Sequence, residues 1–426
     1  MNQTIRKRIE DINNGIVPEG YKQTPFGIFP CDWETDKKLN DLGAFDKGKG
    51  LPGDKMTDEG VPCIGYGDIY MKYNYHFEKA QNFVDEKTAS ESQPIEKGTL
   101  LFTGTGETAE EIGKCVCYNG DETIYAGGDI ILFNSKEVNP LFLAYQQYQD
   151  FSLKRKAMFG QGHSVVHIQR GELAKLYTAF PKDKTEQGKI AEILMKWDEM
   201  VELQEQYIQK LEFRKKAIMK KLLTPKDGWE KCKLKKFIKV KSGYAFKSET
   251  YVEQGKYKIL TIKNVQKGVL DFSEISTINE LPRNIQKHQI LNINDIIISL
   301  TGNVGRSCYI TKGNCLLNQR VGKIESSNEY KQFVYAILQS DNFINAMINI
   351  AQGGAQANLS NEDVENFEFF VPFINEEFDK RTIYKIGQIN LTIDEDISLQ
   401  KEKLVKIKEQ RKAMQQYLLT GIVMVG

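Results

Sequence analysis

The chain has 426 residues, 40% of them apolar, which suits two or three globular domains rather than a disordered protein. Its net charge of +1 excludes a diffuse polycationic surface, and its longest aliphatic run, Ile296-Ile297-Ile298, breaks at Ser299 and excludes a membrane span. Arg6, Lys7 and Arg8 are followed by Glu10, Asp11 and Asn13 rather than an apolar stretch, which argues against a signal peptide. Seven cysteines without such a leader point to free thiols in a reducing cytoplasm.

In chain order, an N-terminal segment (1–30) precedes a first domain, 31–181, that opens on Trp33-Glu34. Within it Thr99-Leu100-Leu101-Phe102 and 129–133 are short apolar runs that predict buried strands. The stretch 140–151 predicts a helix, with Asn139 as cap and Pro140 at its first position. A long helix is expected within 182–225, stopped by Thr224-Pro225. The second domain, 226–372, opens on Trp229-Glu230, with a strand at 295–300 and a helix at 330–350. A second long helix is expected within 373–426, capped by Asn375-Glu376-Glu377 and ended by Gly421.

The two long helices are copies of one another. Residues 193–225 recur as 389–421 without a gap, at an offset of 196 residues that also superimposes Trp33 on Trp229. A unit this long is a duplicated domain plus helix, not a solenoid repeat. The first copy carries a 3-4 ladder: Ile190, Leu194, Trp197, Val201, Gln204, Ile208, Leu211, Lys215, Ile218, Leu222. The second repeats it as Ile386, Asn390, Ile393, Ile397, Gln400, Leu404, Ile407, Arg411, Met414, Leu418. Such spacing predicts a coiled-coil seam over about 38 residues, or ~57 Å. The polar rungs coincide, Gln204 with Gln400 and Lys215 with Arg411. They are either solvent-facing edges or register-setting residues of an antiparallel pair. In such a pair the glutamines meet near the centre, while Lys215 approaches Asp394 and Arg411 approaches Asp198. The fold class expected is α+β: two pseudo-symmetric mixed α/β domains joined by two long helices.

The domains between the helices align at loops more than at cores. Thr103-Gly104-Thr105-Gly106 matches Leu300-Thr301-Gly302-Asn303, and 159–164 matches 352–358. A duplicated frame with divergent loop tips suits a reader of two targets. The candidate DNA contacts are Lys49, Thr103, Thr105, Lys154, Arg155, Gln161, His163 and Ser164 in the first domain. In the second they are Lys247, Asn264, Thr301, Asn303, Arg306, Gln352, Gln356 and Asn358. Gln and Asn can pair with adenine edges and Arg with guanine, while lysines suit phosphates. Against this stands the charge of 31–181, with 16 basic and 23 acidic residues; 226–372 has 19 and 15.

Catalytic signatures are missing. No phosphate-binding G-x-x-x-x-G-K-[ST] loop occurs, and Gly104-Thr105-Gly106 lacks the third glycine of a dinucleotide fingerprint. Asn139-Pro140-Leu141-Phe142 resembles the Asn-Pro-Pro-aromatic motif of amino-methyltransferases only in part, and no glycine-rich cofactor loop precedes it. Cys115-x-Cys117 has no second ligand pair, and His163/His167 have no accompanying glutamate, so no metal is expected.

Two further patterns carry a family resemblance. Gly20-Tyr21-x-x-Thr24-x-x-Gly27-x-x-Pro30-x-x-Trp33 resembles the opening of specificity subunits of Type I restriction-modification systems. Gly353-x-x-Gln356-x-Asn358-Leu359-Ser360, then Val371-Pro372 and a long helix ending Leu418-Leu419-Thr420-Gly421, resembles the end of one of their halves. The resemblance spans essentially the whole chain. It implies two target-recognition domains held apart by antiparallel helices forming an intramolecular coiled coil. Each domain would read one half of a bipartite site in double-stranded DNA. It also implies a subunit without catalytic residues or cofactor. Two methylation subunits would use S-adenosylmethionine on adenine, and restriction subunits recruited through them would use ATP and magnesium. The competing readings are a coiled-coil adaptor whose duplicated domains bind proteins, and a self-contained methyltransferase, which would need the missing cofactor loop.

Overall fold

Short, largely buried strands in each half of the duplication assemble into a central sheet and a companion sheet. The computed structural model describes residues 3–51, 53–162, 165–353 and 358–425. It divides into two units, one comprising Met1–Leu203 and Leu404–Gly426, the other Gln204–Lys403.

In the first unit a central sheet has the order Gly43–Lys47, Ile130–Ser135, Thr99–Thr103, Cys115–Tyr118, His76–Phe77. Its pairs are antiparallel except the last, which is parallel. A second sheet runs Asn82–Val84, Val61–Ile64, Ile124–Ala126, Gln93–Ile95. The second unit repeats the companion order in full and the central order without its fifth strand. Its central sheet is Ile238–Ser242, Val321–Ser326, Ile296–Ser299, Ser307–Tyr309, and its companion is Ser276–Ile278, Tyr257–Leu260, Cys315–Leu317, Ile290–Leu291. The parallel pair within the companion sheet is also repeated, Tyr125 with Cys63 and Ile259 with Leu316. Two domains of one topology are therefore present.

Strands fully buried along their length explain the expected apolar runs. Every residue of Thr99–Thr103 and Ile296–Ser299 is buried. The stretches expected as single helices are each two. Residues 140–151 hold the helix Pro140–Gln146, capped by Asn139 as expected, and the start of Asp150–Phe159. Residues 330–350 hold Lys331–Leu338 and most of Asp341–Gln352. The second break has a clear cause: the Ser340 hydroxyl accepts from Phe343 N at 3.2 Å and starts a new helix.

The long helices are Lys184–Leu223 and Lys380–Leu419, of 40 residues each. The expected cap Asn375-Glu376-Glu377 is not one. Asn375 (φ 50°) and Glu376 (φ 69°) form the turn between Glu368–Ile374 and Glu377–Phe378. Asp379 caps instead, its Oδ1 accepting from Thr382 N at 3.1 Å. Asp183 does the same for the first helix through Thr185 N (2.8 Å). The helices pair antiparallel within each unit, by Asp198 to Arg411 in the first and by Gln204 to Gln400 and Lys215 to Asp394 in the second.

Each domain core reaches onto the helices. Phe29, Trp33 and Phe142 cluster with Ile190, Leu194, Leu418 and Leu419 in the first unit. Phe237, Phe333 and Phe343 cluster with Met219, Ile383 and Ile386 in the second. Gly387 sits inside a helix, where glycine costs about 1 kcal/mol relative to alanine. The reason is contact: a Cβ there would lie 2.8 Å from Phe333 N. No helix among the described residues is long and apolar enough to cross a membrane.

Candidate nucleic-acid interface

Strands of the central sheets end in loops that hydrogen bonds weld into a rim. In the first domain Gly104 N donates to Asp129 O (3.1 Å), Ile168 N to Gly104 O (3.0 Å), and Gly128 N to Gly50 O (3.2 Å). Thr105–Gly106 pairs with Val166–His167, and Thr105 Oγ1 lies 3.2 Å from His167 Nδ1. Gln161 and His167 exchange backbone bonds of 2.9 and 2.8 Å. In the second domain Leu300 N donates to Arg320 O (3.0 Å) and Leu359 N to Leu300 O (2.7 Å). Thr301 bridges Asn358, and Gln319 N donates to Tyr244 O at 2.9 Å. Each rim is thus rigid backbone carrying polar side chains of different identity.

The side chains exposed there are of the types that can pair with bases and phosphates. Lys49, Gln161 and His167 are exposed on the first rim, and Asn303, Gln319, Arg320 and Asn358 on the second. Amides offer a donor beside an acceptor, the pattern of an adenine edge, and guanidinium offers the paired donors that suit guanine. Among the described residues no group of His, Cys, Asp and Glu is arranged to hold a metal ion.

The family model for the Type I restriction modification DNA specificity domain matches twice, over residues 30–213 and 226–409. The chain belongs to this family. It is a specificity subunit with two recognition domains, and its function is DNA sequence recognition. A Type I restriction enzyme MjaVIII specificity subunit from Methanocaldococcus jannaschii is 26% identical, over 96% of this chain and 98% of that one. The EcoAI specificity subunit of Escherichia coli is 31% identical over 38% of this chain and 28% of its own length. Among solved structures, the S subunit of a Type I system from M. genitalium superposes with a TM-score of 0.61 at 17% identity, covering 95% of this chain and 99% of that one. A chain from a study of complex assembly and conformational transition of the type I R-M system superposes at 0.54 and 11% identity, covering 93% and 99%. At these identities the superpositions speak to the fold.

Within this specificity subunit the candidate contacts separate into three groups. Lys49, Lys154, Arg155, Gln161, Lys247, Asn303, Gln352 and Asn358 are exposed, and Thr105, Thr301 and Arg306 are half-buried. The Arg155 guanidinium lies 4.8 Å from the Phe159 ring centre, and Arg306 donates to the Gln266 side chain. Thr103 and Asn264 are buried and turned inward. Thr103 Oγ1 is hydrogen-bonded to Tyr70 OH at 2.7 Å. Asn264 accepts from Thr261 N (2.8 Å) and donates to Asp271 O and Glu274 O (2.9 Å each). These two shape loops rather than offer atoms to a ligand. His163, Ser164 and Gln356 lie outside the described residues. His167, read from the sequence as a loop histidine touching DNA or solvent, lies on the first rim, whereas Gln319 and Arg320 were missed as rim residues. Their only sequence signal is polarity at a strand end, which solvated turns share.

The helix-register candidates come together. Gln204 Nε2 donates to Gln400 Oε1 (3.1 Å), and Gln400 Nε2 to Asp396 (3.1 Å). Lys215 pairs with Asp394, and Arg411 Nε with Asp198 at 2.7 Å. Replacing both Gln204 and Gln400 by leucine is expected to stabilise the pair and loosen its register. Distances between labels on the two helices would then broaden; a single unchanged distance refutes a register role.

One buried charge stands behind the first rim. Lys156 donates to Gly113 O at 2.8 Å, and burial, only partly offset by Cys115, pushes its ammonium from 10.5 down to about 8. Between these values the unfolded chain holds the additional proton. The group therefore costs stability below about pH 8, and the cost fades as pH approaches 10.5. Lys156→Met is expected to exceed the parent by roughly 2 kcal/mol at pH 7, after losing a hydrogen bond of about 1 kcal/mol. Urea titrations should show the difference shrinking as pH rises through this window; a constant difference contradicts it.

Proposed function

We propose that this subunit reads a bipartite DNA site, one half-site per recognition domain, and carries no catalytic activity of its own. Two methylation subunits dock on it, and restriction subunits join through them. S-adenosylmethionine, ATP and magnesium then belong to those partners. The observation that carries this reading is the repetition of one strand topology with non-identical rims, Thr105, Gln161 and His167 in one and Asn303, Arg320 and Asn358 in the other. A protein-binding adaptor has no need of two frames tipped with base-pairing amides.

The acidic balance of residues 31–181 fits a reader that shares phosphate neutralisation with its partners. DNA affinity is expected to be weak for the isolated chain, and tight and salt-sensitive with methylation subunits present. Gel shifts at several salt concentrations measure this, and equal affinity in both states contradicts it. Long-read mapping of N6-methyladenine with and without the gene tests the reading itself: a two-part motif should vanish on deletion.

A further inference from the structure

Two ion pairs occupy equivalent positions of the duplication, Asp198–Arg411 in the first unit and Asp394–Lys215 in the second. Neither is required to close the helix seam, because an apolar layer would avoid desolvating two charges. Their surroundings indicate what they hold. Asp198, on the first long helix, accepts from Arg411 of the second and from the Tyr145 hydroxyl of the domain at 2.5 Å. Arg411 also donates Nη1 to Tyr75 OH (2.8 Å) and lies 4.0 Å from that ring's centre. The Tyr75 and Tyr145 rings are 5.0 Å apart. Both helices and two domain segments therefore meet at one charge pair, in which Arg411 is buried and Asp198 partly so.

The knot connects to the rim. Tyr75 O accepts from Cys117 N at 2.9 Å, tying its loop to the strand Cys115–Tyr118. That strand pairs with Thr99–Thr103, which runs directly into Gly104 and Thr105. Among the described residues, the second unit has the ion pair and a pair of domain tyrosines, without the hydrogen bonds that join them in the first. Asp394 accepts from Lys215 and, at 3.1 Å, from Asn390. Tyr309 and Tyr335, with rings 4.1 Å apart, stand close by; burial first, and the Asp394 charge next, push both hydroxyls up. Tyr309 belongs to the strand that pairs with Ile296–Ser299, which leads to Thr301.

We propose that each cluster is a positioning clamp, fixing one recognition domain on the helix pair so that its rim meets its half-site in a single register. Asp198, Arg411, Tyr75 and Tyr145 serve the first domain. Asp394 and Lys215, flanked by Tyr309 and Tyr335, serve the second. The clamp explains why charged rungs, Lys215 and Arg411, persist in a mostly apolar ladder. It also fits arginine in the first unit, where separate nitrogens of one planar fork reach Asp198 and Tyr75 while the guanidinium lies over the Tyr75 ring, a geometry that the compact ammonium of lysine does not reproduce. This proposal rests on the bipartite reading above.

The test uses the full chain with its methylation subunits and scores methylation separately at each half-site. Exchange of the first domain identifies which half-site is which. Tyr145→Phe, which removes one hydroxyl and keeps the ring, and Arg411→Lys are expected to lower methylation at the first half-site roughly tenfold relative to the second. Asp394→Asn should do the reverse. Equal loss at both half-sites, or no change from any variant, overturns the proposal. Absence of a chain-dependent two-part motif in the parent would instead remove the reading beneath it.

Discussion

Exchanging residues 31–181 for the corresponding segment of another specificity subunit is expected to change one half of the recognised site and leave the other intact. The rim residues Thr105, Gln161 and His167 all travel with the segment, and their supporting strands pair within it. The cut points are favourable as well. Backbone bonds between Glu34 and Phe180 (2.9 and 3.0 Å) close the domain just inside both ends. The demanding part is the seam, where Trp33 and Phe142 of the graft must pack on Ile190, Leu194, Leu418 and Leu419. A mismatch there costs about 1–3 kcal/mol per overpacked or cavity-forming position, enough to lower yield without altering specificity. N6-methyladenine mapping decides the outcome: a motif altered in both halves would mean that sequence reading is not divided between the domains.

Legibility in the sequence followed the range of the interaction. The helix pair was readable because its rungs repeat every 3.5 residues, a local signal, and because the second copy confirmed the first. Asp198–Arg411 and Lys215–Asp394 followed from an antiparallel pairing that sets the two glutamines near its centre. Tyr75 and Tyr145 did not, since nothing local distinguishes a tyrosine that completes a buried ion pair from one that fills a core. The rims were half legible. Asparagine beside a turn either bonds its own backbone or faces solvent, and Asn264 does the first while Asn303 does the second. The break at Ser340 was readable as a helix cap; the one at 147–149, a run of Gln147, Tyr148 and Gln149, carries no such residue. Asn375 was misread because a left-handed turn and a helix cap both favour asparagine, while nothing local marks Glu376 for its positive φ.

Shortening both long helices at equivalent positions is expected to change the spacer of the recognised site while leaving both half-sites unchanged. Residues 205–208 of the first copy correspond to 401–404 of the second, and neither stretch contains Asp198, Lys215, Asp394 or Arg411. Each four-residue deletion shortens its helix by ~6 Å, about two base-pair steps of ~3.4 Å. Phase also matters. Removing four residues joins Gln204 to Leu211 at a spacing of three, following the Val201–Gln204 step of three, so the ladder acquires a discontinuity that locally changes its winding. Removing seven, 205–211 and 401–407, restores the 3-4 alternation at a cost of ~10 Å, or about three steps. The seven-residue variant should therefore retain more methylation than the four-residue one despite the larger change. Mapping the spacer in both variants separates length from phase. A spacer that stays constant through both deletions would show that the helices do not measure the distance between half-sites.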